Sequence, residues 1–211
     1  MRIRRLAAAA VMVSGLVLQA VAAQGPAGRP AAPGGLRQPV TLPFELVARK
    51  IVIAATINAS RPLSFVLDTG DRFALVDFDL ARSLGLRFGT ELKMKGVGGK
   101  PVLGAMIENG GFGIPELPGF FQPIVAAVPL SSLAPRIGHA FDGIIGSEFI
   151  SQFVVEVDYL ARTVTLHDKD SYRYTGTGQV FPIDLDDSGH VLLDATIGLP
   201  GAGVAIRVLV V

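Results

Sequence analysis

Short apolar runs, separated by turn residues, follow one another along most of the chain. Five of them have strand length and are rich in Val, Ile, Leu or Thr: residues 45–48, 51–57, 63–67, 154–159 and 163–166. Runs of this length and composition predict β-strands. The first three predict consecutive antiparallel strands, with Arg49-Lys50 between the first and the second, and the last two predict a hairpin.

Helical periodicity is confined to short segments. Residues 78–84 predict a short helix that Gly85 closes. Residues 147–153 carry apolar side chains three or four positions apart, which predicts one helical segment with Ser147 as its N-cap. The continuous apolar run at 124–128 predicts a buried strand. Because no long helix is predicted beyond the first 23 residues, the expected fold class is all-β.

The N-terminus has the three parts of an export signal. Arginines at positions 2, 4 and 5 precede an apolar stretch at 6–18, and Ala-Val-Ala-Ala at 20–23 resembles a cleavage site. We therefore expect a signal peptide at residues 1–23 and a periplasmic or secreted protein. Residues 24–40, rich in Pro, Gly and Ala, predict a flexible linker. The alternative is an uncleaved membrane anchor, for which the apolar stretch is short.

Composition favours one β-rich globular domain with tails. Of 211 residues, 50% are hydrophobic, and 19 Lys or Arg nearly balance 18 Asp or Glu. Basic residues do not interleave with aromatic residues as a nucleic-acid surface requires, so no nucleic-acid partner is expected. The absence of cysteine excludes disulfides and thiolate metal sites.

No metal or other cofactor is expected. The histidines at positions 139, 167 and 190 lie far apart in the sequence and lack the spacing of metal ligands. Asp184, Asp186 and Asp187 imitate the first half of a calcium loop, but Ala195 stands where the terminal Glu is required. A solvated turn is the better interpretation of this acidic segment.

The leading candidate for chemistry is Asp68. It ends the apolar run 65–70, Phe-Val-Leu-Asp-Thr-Gly, at a tight turn. An acid that activates water needs such a setting, because apolar neighbours hinder its ionisation and the turn backbone can orient its oxygens. The plain alternative is ordinary turn chemistry, because Asp-x-Gly is common in turns.

A second candidate is the glycine-rich tip of residues 93–102. Gly96, Gly98 and Gly99 flank or follow Val97 between two extended arms. Glycines at a hairpin tip permit positive φ and close approach to a bound group, so the hairpin could cover a cleft. An ordinary exposed hairpin is an equally good interpretation.

Taken in order, three elements resemble one lobe of the aspartic peptidases, retropepsin-like or pepsin-like, and most of all the bacterial exported members. They are Asp68-Thr69-Gly70, the glycine-tipped hairpin, and Asp-Gly-Ile-Ile-Gly at 142–146 with the helical segment and hairpin that follow. The resemblance covers about residues 41–168. It implies a closed β-barrel lobe with one short helix after the Gly-Ile-Ile-Gly strand.

The resemblance also implies roles for individual residues. Asp68 would be one of two carboxylates that share a proton and activate water, Thr69 would tie paired active-site loops together, and Gly70 would let the loop backbone approach the acid. Such peptidases usually carry Ala or Ser directly after this glycine, whereas Asp71 stands here. A second carboxylate so close could disturb the proton arrangement or point to solvent.

Two further sets of residues follow from the same resemblance. The substrate-covering flap would be Gly96, Val97, Gly98 and Gly99. The strand that supports the active-site loop from behind would include Ile144, Ile145 and Gly146.

A second aspartate loop is missing from residues 71–211, which contain no further Asp-Thr-Gly or Asp-Ser-Gly. An internal repeat offers an explanation. Residues 42–46 (LPFEL) and 51–57 (IVIAATI) are matched about 140 positions later by 181–185 (FPIDL) and 191–197 (VLLDATI). We expect a lobe at 41–170 and the start of a second, truncated lobe at 171–211.

The function expected from these residues is aspartic-type endopeptidase activity. It would need a homodimer supplying two copies of Asp68, or the missing half of a two-lobed protein. The partner would be a peptide or protein substrate. The alternative is a noncatalytic exported protein that binds peptides or acts as a scaffold while retaining the lobe.

Overall fold

The structure is a computed structural model. It describes residues 36–95, 101–124, 126–133, 135, 138–187, 190–199 and 202–210. The predicted signal peptide, most of the predicted linker and the predicted flap residues Gly96, Val97, Gly98 and Gly99 lie outside these ranges.

The described chain is mostly β-strand. The strands are β1 (Val40–Val47), β2 (Lys50–Ile57), β3 (Leu63–Leu67), β4 (Leu75–Asp77), β5 (Phe88–Lys95), β6 (Pro101–Ile107), β7 (Gly111–Gly113), β8 (Gln122–Pro123), β9 (Ala126–Val128), β10 (Gly143–Ile145), β11 (Val154–Asp158), β12 (Thr163–His167), β13 (Asp184–Leu185), β14 (Val191–Leu199) and β15 (Ala202–Val210). The helices are α1 (Phe78–Ser83), α2 (Ser147–Ile150) and a 3₁₀ turn (Leu130–Leu133). Within the described residues, no helix is long and apolar enough to cross a bilayer.

The strands β1, β2 and β3 are consecutive and antiparallel, as their apolar runs predict. Phe44 pairs with Ile53, and Ile53 pairs with Phe65 on its other side. The connection between β1 and β2 differs from the prediction, because Lys50 already belongs to β2 and the turn residues are Ala48 and Arg49, with φ of 48° and 65°.

Among the described residues, twelve strands form one sheet and β13, β14 and β15 form another. The path through the larger sheet runs β11-β12-β1-β2-β3-β10-β4-β9-β6-β5, with β7 and β8 attached beside β2. The described pairings leave this path open between β11 and β5, so they do not include the closure expected of a barrel. The predicted hairpin of β11 and β12 is present and pairs with β1.

The core lies inside the larger sheet. Phenylalanine rings form its centre, with centroids 5.3–6.4 Å apart in tilted, edge-on or stacked pairs: Phe65, Phe112, Phe120, Phe149 and Phe153. Rings of this size bury much apolar surface, and edge-on contacts add to the stabilisation. Since Phe65 lies on β3 and Phe149 on α2, the core joins the two elements that flank the candidate site.

Both short helices occur where the periodicity predicts them, but one cap differs. Helix α1 is followed by Gly85, whose φ of +68° suits glycine. Helix α2 begins after the Gly-Ile-Ile-Gly strand, as expected, yet its N-cap is Gly146 and not Ser147. Gly146 takes the extended conformation of a cap and its carbonyl accepts from Phe149 and Ile150, which places Ser147 inside the first turn.

The smaller sheet repeats the local pattern of β1, β2 and β3. Strand β14 pairs with β15 so that Leu193 opposes Val208, just as Ile53 opposes Phe65. Several large apolar side chains before and within this sheet are exposed: Tyr174, Val180, Phe181, Ile183, Leu185 and Ile197. The repeat reproduces the strand pairing with less burial, since Ile53 is 2% exposed and its counterpart Leu193 is half-buried.

Candidate functional site

Asp68 is positioned by an uncommon parallel pairing inside a largely antiparallel sheet. Strand β3 runs parallel to β10, with Leu67 opposite Ile145. The Asp68 amide then donates to the Ile145 carbonyl at 3.0 Å, which extends the pairing by one residue. The carboxylate therefore leaves the sheet at a fixed point, directly after a buried strand.

The turn that follows orients the Asp68 carboxylate. The Gly70 amide donates to Asp68 Oδ1 at 2.8 Å, and the Asp71 amide approaches the Asp68 carbonyl at 3.4 Å. Asp68, Thr69, Gly70 and Asp71 are all half-buried. One oxygen of the carboxylate is thus held by the backbone of its own turn, as a preorganised acid requires.

Gly146 lets β10 and α2 pass directly behind this turn. A Cβ atom on Gly146 would lie 2.6 Å from the carbonyl oxygens of Asp71 and Arg72, so a larger residue would displace the turn. The Ser147 amide donates to the Asp71 carbonyl at 2.8 Å, and the Glu148 amide donates to the Arg72 carbonyl at 2.9 Å. Gly146 and the first turn of α2 therefore support the Asp68 turn from one side.

The electrostatics of the turn concentrate on Asp71. Burial raises the pKa of the Asp71 carboxyl above its ordinary value of 3.8, and the negative charge of Asp68 raises it further. His190 acts in the opposite sense. Two carboxylates close together resist joint ionisation, so Asp71 retains its proton to a higher pH than a solvated aspartate does.

His190 lies between β13 and β14, and its charge acts on Asp71 in this turn. Its ring Nδ1 forms a hydrogen bond with Asp186 Oδ2 at 2.8 Å. The hydrogen bond to Asp186 is the largest cause that raises the pKa of His190 above its ordinary value of 6.5, while partial burial lowers it. The charge of Asp71 and the Gly70 carbonyl also raise it.

The structure brings some predicted residues together and says nothing of others. Asp68, Thr69 and Gly70 lie beside Ile144, Ile145 and Gly146, because β10 pairs with both β3 and β4. The arms of the predicted flap hairpin, β5 and β6, pair from Lys95 opposite Pro101 down to Phe88 opposite Ile107. The flap tip at 96–99 lies outside the described residues.

Sequence reasoning did not find Asp186 and His190, which it interpreted as a solvated turn and a histidine without a ligand role. Asp186 and His190 are only four positions apart, but the effect of the His190 charge on Asp71 joins segments more than 100 positions apart. The only signal was an acidic side chain four positions before a histidine. Within the described ranges, no group of three or more His, Asp or Glu could hold a metal ion.

Comparisons with known proteins do not assign this chain to a family. No protein-family model matches the chain, and no curated protein matches it. Among solved structures, a retropepsin-like aspartic protease from Rickettsia conorii aligns over 61% of this chain and 89% of its own, with 12% sequence identity and a TM-score of 0.37. A likeness this low does not establish the family.

Proposed function

We propose that this protein is an aspartic-type endopeptidase, a hydrolase that cleaves peptide bonds with a pair of aspartates and without a cofactor. The observation that carries the proposal is the Asp68 turn. An Asp-Thr-Gly sequence ends a buried strand, its carboxylate accepts from the Gly70 amide, and β10 holds it from behind. The residue types of the Asp68 turn, their order along the chain and the backbone hydrogen bonds that support them suit an aspartate that activates water.

In the proposed mechanism, two facing carboxylates share one proton. One carboxylate removes a proton from water, and the protonated partner polarises the scissile carbonyl. Asp68 is one of the two, Thr69 joins the paired loops, and Gly70 gives the backbone room. The segment at 96–99 closes over an extended peptide.

The second carboxylate would come from another copy of Asp68 in a homodimer or from sequence outside these 211 residues. One observation favours the homodimer. Since Leu193 opposes Val208 as Ile53 opposes Phe65, continuing the repeat along the sequence brings Val211 to the position of Asp68. A valine has no carboxyl group in its side chain and cannot serve as the second acid of the pair.

Cleavage of a denatured protein at acidic pH tests the proposal. We expect pepstatin-sensitive cleavage that rises steeply with protein concentration if a dimer is the active form. Asp68→Asn should reduce kcat/KM by at least about 100-fold, because it removes the acid and base group. The matched control is Asp79→Asn, an exposed aspartate on α1 that pairs only loosely with Arg82 at 3.8 Å.

A noncatalytic peptide-binding or scaffold protein is the second candidate. It is favoured by the single Asp-Thr-Gly in the sequence and by Asp71, a second carboxyl beside Asp68 at a position where the aspartic peptidases usually have a small residue. Failure of the wild-type chain to cleave any denatured substrate, even when concentrated, together with saturable binding of an extended peptide, would favour this candidate over the peptidase.

The proposed location is the periplasm or the exterior of the cell. N-terminal sequencing of the protein recovered from fractionated cells should find a mature chain that begins near residue 24. A chain that retains its first residues and stays with the membrane fraction would support an uncleaved anchor instead.

A further inference from the structure

A buried glutamine on β8 contacts α2, the helix that supports the Asp68 turn. Among the residues that the structure describes, Asp77 and Gln122 are the two polar or charged ones that are buried, each 7% exposed. A buried side-chain amide costs free energy unless both its oxygen and its nitrogen find hydrogen-bond partners. Gln122 finds both in α2 and in the residue just beyond the C-cap of this helix.

The hydrogen bonds of the Gln122 amide are specific to each end. Its Nε2 donates to Glu148 Oε2 at 3.4 Å, and its Oε1 accepts from Gln152 Nε2 at 2.9 Å. Gln152 Nε2 also donates to the Glu148 carbonyl at 3.1 Å. Because a carboxylate only accepts, the nitrogen of the Gln122 amide faces Glu148 and its oxygen faces Gln152. The three residues therefore hold one another in a defined orientation.

Glu148 connects this network to the Asp68 turn. Its side chain accepts from Gln122, while its own backbone amide donates to the Arg72 carbonyl at 2.9 Å. The preceding amide, that of Ser147, donates to the Asp71 carbonyl at 2.8 Å. Hydrogen bonds thus run from β8 through one residue of α2 to the backbone that follows Gly70.

Apolar packing alone does not fix the rotation of α2. The helix has only four residues, too few to be stable without contacts from outside. Its Phe149 is 1% exposed and contacts three other phenylalanine rings of the core. Apolar burial is non-directional, whereas a hydrogen bond weakens steeply when its angle is poor. The aromatic contacts therefore hold α2 in the core, and the hydrogen bonds of Gln122 select its rotation.

We propose that Gln122 is a positioning residue for the Asp68 turn. It holds α2 through Glu148 and Gln152, and this hold aims the first two backbone amides of the helix at the carbonyls of the turn. The catalytic meaning of this role rests on the proposed peptidase function. Gln122 does not contact the reacting atoms in this scheme and acts only through α2.

Amide hydrogen exchange of the full chain tests this role without any need for turnover. The measured signals are the amides of Ser147 and Glu148, which donate to the turn, and the amides of β12, which lies between β1 and β11 and reports global unfolding. Gln122→Met keeps an unbranched side chain of similar size and removes both hydrogen bonds. It should raise the exchange rates of Ser147 and Glu148 by roughly tenfold more than those of β12. Gln179→Met, the same change at an exposed glutamine, should leave both sets unchanged.

Two outcomes of the exchange measurement would overturn the proposal. Equal increases at α2 and at β12 in Gln122→Met would show that Gln122 contributes only to overall stability. Unchanged exchange at Ser147 and Glu148 would show that the rotation of α2 does not depend on Gln122.

Variants of Glu148 test the connection from its other side. Glu148→Met removes the acceptor and should raise the exchange of the same two amides, whereas Glu148→Gln retains an acceptor oxygen and should keep the wild-type rates. Because the two side chains act through one shared bond, the combined change of Gln122→Met with Glu148→Met should raise exchange by less than the product of the single effects. Fully multiplicative increases would show that the two side chains act separately and would contradict the proposed connection.

Activity measurements separate this inference from the proposed function. In an active enzyme, Gln122→Met should lower kcat by roughly three- to tenfold with KM nearly unchanged, because a displaced acid affects the reaction step more than substrate binding. Faster exchange at α2 with an unchanged kcat would overturn the positioning role. A wild-type chain that cleaves nothing, but whose Gln122→Met variant shows the selective exchange, would contradict the peptidase function and support the role of Gln122 in holding the turn.

Discussion

Asp71 carries the clearest electrostatic conflict at the scale of single residues. Its carboxyl is half-buried and lies near the charge of Asp68, and both effects raise its pKa. The charge of His190 acts in the opposite sense and lowers the pKa of Asp71. The acidic turn is therefore less stable than its hydrogen bonds alone would suggest once Asp71 ionises.

Replacing Asp71 by Asn should stabilise the protein at neutral pH. Between the ordinary aspartate value of 3.8 and the raised pKa, the folded chain holds a proton that the unfolded chain has released, so the free energy of unfolding falls as pH rises. Asparagine cannot ionise and removes this loss. Urea unfolding across that pH window should show a flatter profile for Asp71→Asn, with the two proteins converging toward acid pH. A lower stability of the variant at neutral pH would contradict the assignment.

Individual residues were predictable where chemistry and local sequence coincide. Asp68 and Gly70 form a turn by ordinary Asx geometry, with the Gly70 amide on the Asp68 carboxylate, and this is visible in three letters of sequence. The effect of His190 on the pKa of Asp71 was not predictable, because the two residues are more than 100 positions apart in the sequence. Asp71 was recognised as a departure, but its burial required the structure.

At the scale of elements, Asp77 joins three neighbouring pieces of structure. It ends β4 and caps α1, where its Oδ1 accepts from the Asp79 and Leu80 amides at 3.0 and 3.3 Å. Its Oδ2 accepts from the Ser131 amide at 2.9 Å, in the 3₁₀ turn that follows β9. Since Asp77 is only 7% exposed, these amides have no ready replacement in water.

Asp77→Ala should therefore cost more than the loss of an ordinary exposed cap. We expect the free energy of unfolding to fall by about 1–3 kcal/mol, because a cap and a buried acceptor are lost together. Asp79→Ala, on the exposed face of the same helix, should cost about 0.5 kcal/mol or less. Urea denaturation of both variants measures the difference. Equal costs would show that the cap and the Ser131 bond contribute little.

The elements themselves followed from the pattern of apolar runs, but their junctions did not. The strands β1, β2 and β3 were predicted because their apolar runs have strand length, and α1 because Gly85 closes a short segment before it. The first turn was misplaced, since Ala48 and Arg49 adopt positive φ without the glycine or asparagine that usually announces it. The cap of α2 was misplaced because Gly146 has no side chain to signal it.

At the scale of the whole molecule, burial divides the two sheets. The residues of the larger sheet enclose the aromatic core, whereas several large apolar side chains before and within the smaller sheet are exposed. The sequence revealed the repeat, because the matched segments are local. It could not reveal the order of strands in the larger sheet, where β3 meets β10 across 78 positions of chain.

Matched substitutions in the two halves of the repeat measure this division. Leu42 on β1 is 1% exposed, and its repeat counterpart Phe181 is 62% exposed. Leu42→Ala should lower the free energy of unfolding by about 2–5 kcal/mol through a core cavity, whereas Phe181→Ala should change it by about 0.5 kcal/mol or less. Urea unfolding at several protein concentrations is the measurement. A large cost for Phe181→Ala that grows with concentration would show that a second copy covers the smaller sheet, and a large cost independent of concentration would contradict the exposure of Phe181.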